Sequence, residues 1–170
     1  VIAERLRVLV KHHHDGELLT DEAELLLIAA GRAQHVRNLI LPALAAGRIV
    51  LCDRFFDSTT AYQGYARGID LKFIADLNRF AACGCLPDLT LLLDLPPEEG
   101  FRRTAERVPG AGGADRIEDA GIAFHRRVYD GYRRIAAAAP ERIRTVPAAG
   151  EPAAVSHQIE RIVADAIRGL

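Results

Sequence analysis

Residues 49–64 read IVLCDRFFDSTTAYQG. Ile49, Val50, Leu51 and Cys52 form a short unbroken apolar run that stops at Asp53, the pattern of a strand buried on both faces of a parallel sheet. A loop through Arg54 and a short helix carrying Tyr62 and Gln63 follow. Two further apolar runs have the same character: Leu89 to Leu95, ending near Asp94, and Ile143 to Val146. Helical patterns separate them. Val1 to Lys11 places Ile2, Leu6, Leu9 and Val10 at helical spacing. Asp21 opens a long helix with Glu24 three residues on, a capping-box signature. That helix runs to about Ala46, bends at Pro42 and stops at Gly47. Asp70 to about Ala82, Pro97 to Arg107, Ile117 to Ala139 and Pro152 to Arg168 complete the series. Strands alternating with helices make an α/β fold, a parallel sheet flanked by helices. Ligands of such sheets bind at the carboxyl ends of the strands, where Asp53, Arg54 and the residues near Asp94 lie.

Composition narrows the function classes. A 170-residue chain that is 49% hydrophobic and 26% charged reads as one globular domain, residues 1–170, with a real core. No apolar run approaches the roughly 20 residues that cross a bilayer, so no membrane partner is expected. A net charge of −1 gives no global attraction for nucleic acid. Three cysteines, Cys52, Cys83 and Cys85, are too few and too odd for a disulfide framework and point to a reducing cytoplasm. Cys52, inside the expected strand, reads as a buried structural thiol. Cys83-Gly84-Cys85 lacks the second pair that zinc needs. His12, His13 and His14 read as an exposed loop, since three adjacent imidazoles cannot all face one ion on a helix.

A carboxylate at a strand end can orient Mg²⁺ or its waters, and an adjacent Arg can grip a phosphate through two parallel hydrogen bonds. An isolated Asp53-Arg54 pair would read as a surface ion pair, but its surroundings say more. The string CDRFFDSTTAYQGYARGID resembles the Asp-Arg-aromatic region of bacterial thymidylate kinases. AELLLIAAGRAQHV resembles that family's preceding helix, LPDLTLLLDLPPEEGFRR its next strand and helix, and DRIED the segment closing its lid. The strings occur in the family's order and span nearly the whole chain.

The resemblance implies a P-loop nucleotide kinase fold with a five-stranded parallel sheet. It implies transfer of the γ-phosphoryl group of ATP to dTMP, with Mg²⁺, in a cytoplasmic homodimer. Residue by residue, Arg54 matches the Arg that holds the dTMP phosphate, and Asp53 the neighbour that positions metal and phosphate. Arg32 matches the Arg that hydrogen-bonds thymine. Thr59 and Gln63 match polar positions near the base, and Tyr62 the Tyr that packs on the deoxyribose and disfavours a 2′-hydroxyl. Ile28 stands one turn before Arg32, where the family usually stacks Phe or Tyr on thymine. Charge over the transferring phosphoryl is the chief need of this chemistry. Arg103 and Arg107 share a helix face as candidate ATP contacts. Arg107 and Arg116 flank a Gly-rich stretch within the expected mobile lid, residues 107–117, and are candidate catalytic cations.

Three departures qualify the match. No G-x-x-x-x-G-K-[ST] loop occurs, and the chain contains no Met. The expectation is a fragment of a longer kinase, in which the phosphate-binding loop, two strands and a helix precede Val1. One of those strands would sit between the strands ending at Asp53 and Asp94. The second departure is Ile28, and the third is Pro147, which replaces a frequent Asp after the last strand. Two other readings stay open: a non-catalytic dTMP-binding remnant, and another nucleoside or nucleotide kinase of the same superfamily. On the fragment reading, this chain alone forms no dTDP from ATP and dTMP, and a version extended by the upstream coding region does. Chromatographic assay of dTDP checks both, and turnover by the pure chain would refute the reading.

Overall fold

The structure is a computed structural model that describes residues 2–12, 16–105 and 120–168. The expected lid at 107–117, with Arg107 and Arg116, lies outside the described residues, as do His13 and His14.

Helix α1 (Ile2–Lys11) buries Val10 and crosses α2 (Asp21–His35) at Gly31, where a side chain would lie 3.8–4.0 Å from Ala3 and Leu6. The N-cap of α2 is Thr20, whose hydroxyl accepts from the Ala23 amide at 3.2 Å. This corrects the capping-box reading of Asp21 and Glu24: Asp21 is the first helical residue, and Glu24 is completely buried. Glu24 turns inward because its helix face meets two basic and polar partners, described below.

The long helix does not run straight. After α2 come π-helical turns at Val36–Ile40, then α3 (Leu41–Ala45). Pro42 has no N–H for the carbonyl one turn back. The wider turn closes instead with the Leu41 amide on the Val36 carbonyl. Gly47 ends the helix at φ 69°, with its amide on the Leu44 carbonyl at 2.9 Å, as its position in the sequence implied.

Residues 48–52 are the main departure. The expected buried strand is not formed: the segment pairs with no strand among the described residues, and Leu51 is 90% exposed. An extended apolar run becomes a strand only when a neighbour takes up its N–H and C=O groups. Cys52 is accordingly exposed, not a buried structural thiol.

Helix α4 (Phe56–Thr59) continues directly into π-helical turns at Thr60–Ala66. Helix α5 (Leu71–Ala82) is capped by Asp70, whose carboxylate accepts from the Phe73 amide at 2.8 Å. It ends at Cys83 in the left-handed region, φ 52°. Strand β1 (Thr90–Asp94) leads to α6 (Pro97–Ala105), α7 (Gly121–Ala138), β2 (Ile143–Pro147) and α8 (Pro152–Arg168). Strands β1 and β2 pair in parallel, Thr90 opposite Ile143 through Asp94 opposite Pro147. Parallel neighbours need a crossover connection, which α6 and α7 supply. The architecture is α/β, with two strands in the sheet among the described residues.

The core lies where α7 packs on the α4–π segment, around Ala61, Ala66, Phe124 and Val128. The two elements touch closely at Gly131, where a Cβ would lie 2.8 Å from the Cβ of Tyr65. Neither Cβ can move without its backbone. Gly131→Ala should therefore destabilise by about 1–2 kcal/mol from overpacking, although Ala favours helix by roughly 1 kcal/mol. Gly100, in α6, has nothing nearer than Leu95 Cδ2 at 4.0 Å. Gly100→Ala should therefore stabilise by up to about 1 kcal/mol. Urea unfolding of the two variants should show shifts of opposite sign.

Candidate functional site

The turn after residue 52 presents the two residues that the motif singles out. Asp53 and Arg54 are both exposed. Arg54 is held at φ 64°, a backbone conformation that costs a non-glycine residue roughly 1–2 kcal/mol. Two contacts stabilise it there. Its carbonyl accepts from the Cys52 thiol at 3.2 Å, and its guanidinium lies over the Tyr62 ring at 5.3 Å. Among the described residues Arg54 has no carboxylate within ion-pair distance, unlike Arg67, Arg103 and Arg142.

The helix beyond is fastened to the sheet. Asp57, the second residue of α4, takes both Nη atoms of Arg142 at 2.7 and 2.8 Å. Arg142 also donates to the Thr90 hydroxyl at 2.8 Å and lies over the Phe56 ring at 5.2 Å. The fork holds the Arg142 guanidinium above its ordinary range, chiefly through its hydrogen bonds to Asp57. Ser58 and Tyr132 share a hydroxyl hydrogen bond of 2.6 Å, and Tyr62 meets Tyr132 and Phe124 edge-on at 6.3 and 6.0 Å. Tyr62 thus sits between Arg54 and the core.

Helix α2 and the α4–π segment face each other with opposed polar rows. On α2 the row is Glu24, Ile28 and Arg32, spaced by four; on the other side it is Thr59, Gln63 and Arg67, also spaced by four. Arg32 Nη2 donates to the Thr59 hydroxyl at 2.6 Å and to the Phe55 carbonyl at 3.4 Å, and Nη1 donates to Asn78 Oδ1 at 3.0 Å. Burial lowers the Arg32 pKa to about 10, against the pull of Cys52 and Asp57, so it stays charged at neutral pH. At the other end Glu24 accepts from Gln63 Nε2 at 2.7 Å and from Arg67 at 2.9 Å on each oxygen. Arg67 also reaches Asp21 at 2.7 Å. Ile28, half-buried, lies between the two polar clusters.

The structure thus joins Arg32 to Thr59, Arg54 to Tyr62 and Gln63 to Glu24 by direct contact, with Ile28 in the α2 row between Glu24 and Arg32. Arg103 stands apart. It shares Glu99 with Arg102 and donates to the Ala148 and Ala149 carbonyls at 3.3 and 3.1 Å, in the loop after β2. The two guanidiniums, through their hydrogen bonds, draw the Glu99 carboxyl down to about 2. That loop is at the carboxyl end of β2, beside Asp94 at the end of β1. Sequence reading missed Glu24 as a buried acceptor, as well as Asp57, Ser58, Asn78, Tyr132 and Arg142. Only Asn78 left a signal, a polar residue four after Ile74 on the apolar stripe of α5.

Comparison with known proteins gives the family. The family model described as Thymidylate kinase matches residues 1–159. A thymidylate kinase of Synechococcus sp. (strain JA-2-3B'a(2-13)) is 49% identical over 162 residues, 95% of this chain and 74% of the relative. One from Cyanothece sp. (strain PCC 7425) is 48% identical over 160 residues, 94% and 68% of the two chains. One from Syntrophotalea carbinolica is 49% identical over 160 residues, 93% and 74%.

The site carries a titration of its own. Burial pushes the Tyr132 phenol from 10.0 up to about 12, with the Ser58 hydrogen bond pulling the other way. The folded state therefore holds this proton more tightly than the unfolded chain does. The resulting stability is complete below pH 10 and is lost as pH rises through about 12. The total lost across that window is roughly 2–3 kcal/mol. Urea unfolding across that range should show a fall of this order, and Tyr132→Phe should flatten it. Parallel curves for the two proteins would count against the assignment.

Proposed function

Because the chain belongs to the thymidylate kinase family, we propose that it serves phosphoryl transfer from ATP to dTMP, with the residues around Arg54 binding dTMP. A phosphate oxygen of dTMP attacks the γ-phosphorus of ATP. The bond from that phosphorus to the β–γ bridging oxygen breaks, its electron pair leaves with ADP, and dTDP is formed. The protein's work in such a reaction is positioning and charge stabilisation.

The observation that carries the reading is Arg54: an exposed guanidinium, held in a strained backbone conformation over Tyr62, with no carboxylate partner among the described residues. A planar fork so placed suits the 5′-phosphate of a nucleotide, and Tyr62 below it suits the sugar. Arg32, charged and with N–H groups to spare, suits a carbonyl of the base, with Thr59 and Gln63 at its flank. Ile28 offers the base an apolar, non-aromatic contact. Arg103, at the carboxyl end of β2, together with Arg107 and Arg116, is assigned to the ATP side. Residues 107–117, the expected lid, are assigned to the same side, within a single domain, 1–170.

Among the described residues no group of three or more His, Cys, Asp or Glu could hold a metal ion. The residues fit Mg²⁺ that arrives on the nucleotide phosphates, with Asp53 as one carboxylate ligand or water-holder. Such an ion supplies neutralisation of the phosphate charge. Exposed Leu26 and Leu39 on the helical layer support a homodimer. The free thiols Cys52, Cys83 and Cys85 support a reducing cytoplasmic setting. Among the described residues no helix is long and apolar enough to cross a membrane.

Calorimetric titration of dTMP tests the site directly. Arg54→Ala should weaken binding about 10- to 100-fold, the worth of roughly 1.5–3 kcal/mol of charged hydrogen bonding. Arg54→Lys should recover only part, lacking the planar fork. Arg54→Gly should bind as poorly as Arg54→Ala, yet be more stable than it by about 1 kcal/mol, because glycine tolerates the positive φ. Near-parental dTMP affinity in Arg54→Ala would overturn the phosphate assignment.

A further inference from the structure

Asn78 occupies an unusual position for an amide. It lies on the buried face of α5 with Ile74, Ala81 and Ala82, and is only 5% exposed. Burying an amide there is costly unless its donors and acceptor are filled. All its bonds go to one place. Its Nδ2 donates to the Phe56 carbonyl at 3.3 Å and the Thr60 hydroxyl at 3.1 Å, and its Oδ1 accepts from Arg32 Nη1 at 3.0 Å. The orientation of the amide follows from chemistry: a guanidinium has donors only, so Oδ1 must face it.

The consequence falls on Arg32. A guanidinium has five N–H groups. Three are spent, one on Asn78, one on Thr59 and one on the Phe55 carbonyl. Two remain for a ligand, and their direction is set because separate elements grip the two Nη atoms, α5 at one and the Phe55–Thr59 segment at the other. Without Asn78 the guanidinium would be held at Nη2 alone and could swing about it. A donor-only group fixed in this way meets a carbonyl on a base favourably and an amino group unfavourably.

We propose that Asn78 is a positioning residue for the base-reading Arg32, and that it thereby sets the preference for a pyrimidine carrying a carbonyl over one carrying an amino group. This rests on the reading of Arg32 as a base contact, and the experiment keeps the two separate. Titrate dTMP and dCMP into the full chain and into Arg32→Ala, Asn78→Ala, Asn78→Asp and the Arg32→Ala/Asn78→Ala double variant, with thermal melts alongside. Asn78→Ala should weaken dTMP binding about tenfold, the worth of one hydrogen bond to a charged group, and leave dCMP nearly unchanged. Asn78→Asp keeps an acceptor toward Arg32. It should restore most of the dTMP preference, even though losing the bonds to Phe56 and Thr60 lowers its melting temperature. The double variant should bind dTMP no more weakly than Arg32→Ala alone. If Asn78→Ala does not fold, Asn78→Leu, similar in size and lacking the acceptor, carries the same expectation. Equal losses for dTMP and dCMP in both the Ala and Asp variants, or losses that add in the double variant, would overturn the positioning role while leaving Arg32 as a base contact. Unchanged dTMP affinity in Arg32→Ala would remove the base contact itself, and this role with it.

Discussion

The fork between Asp57 and Arg142 is the constraint on which the rest of the site depends. It joins the start of the helix bearing Ser58, Thr59, Tyr62 and Gln63 to the residue just before β2, and through Thr90 to the start of β1. Both side chains are largely withdrawn from water, 16% and 11% exposed. Such a pair adds little net stability over an apolar filling, but losing one partner strands the other at a cost of about 3–5 kcal/mol. Its value is geometric. The sheet fixes Arg142, Arg142 fixes the first turn of α4, and that turn fixes where Arg54 and Tyr62 stand.

A second consequence is the polarity of the space between α2 and the α4–π segment. A protein interior built for stability alone would fill such a seam with Leu and Val. Here Arg32, Thr59 and Asn78 occupy one end, and Glu24, Gln63 and Arg67 the other. Networks of this kind rigidify when every member is satisfied and are costly when one is not. Among the described residues the buried side-chain atoms left without a partner are Asp94 Oδ1 and His125 Nε2, both outside this seam. The seam therefore presents Arg32 as a charged but rigid group, which suits a contact that has to tell one base from another.

Most of the elements were legible because their signals are local. The alternation of apolar runs with helical spacing located β1, β2 and the helices to within a few residues, and Gly47 ended its helix as glycine at a positive φ does. Residues 49–52 carried an equally clear strand signal yet form none, because a strand is a property of two segments and the run carries only one of them. That same failure exposes Cys52. Glu24 was misread because three-residue spacing from Asp21 imitates a cap, and only the positions of Gln63 and Arg67 in space reveal its partners. The motif singled out Arg32, Arg54, Thr59, Tyr62 and Gln63 as candidates. It could not say that Arg32 and Gln63 are already hydrogen-bonded within the protein, since those bonds join residues 27 to 46 or 39 positions apart.

The π-helical turns at Thr60–Ala66 close with the Arg67 amide on the Tyr62 carbonyl, five residues back, at 3.1 Å. A turn of this kind holds one residue more than an α-helical turn, and it is a form often found at functional sites. It behaves as a single-codon insertion that has been kept. Deleting one residue there would let the segment relax into a regular, more comfortable helix. The residues beyond it would keep close to their present facing, because an α-helical turn makes the same circuit with one residue fewer. Arg67 would stay near Glu24 and Thr59 on Arg32. The extra residue is thus absorbed locally, and the irregularity is confined to the stretch that carries Tyr62 and Gln63.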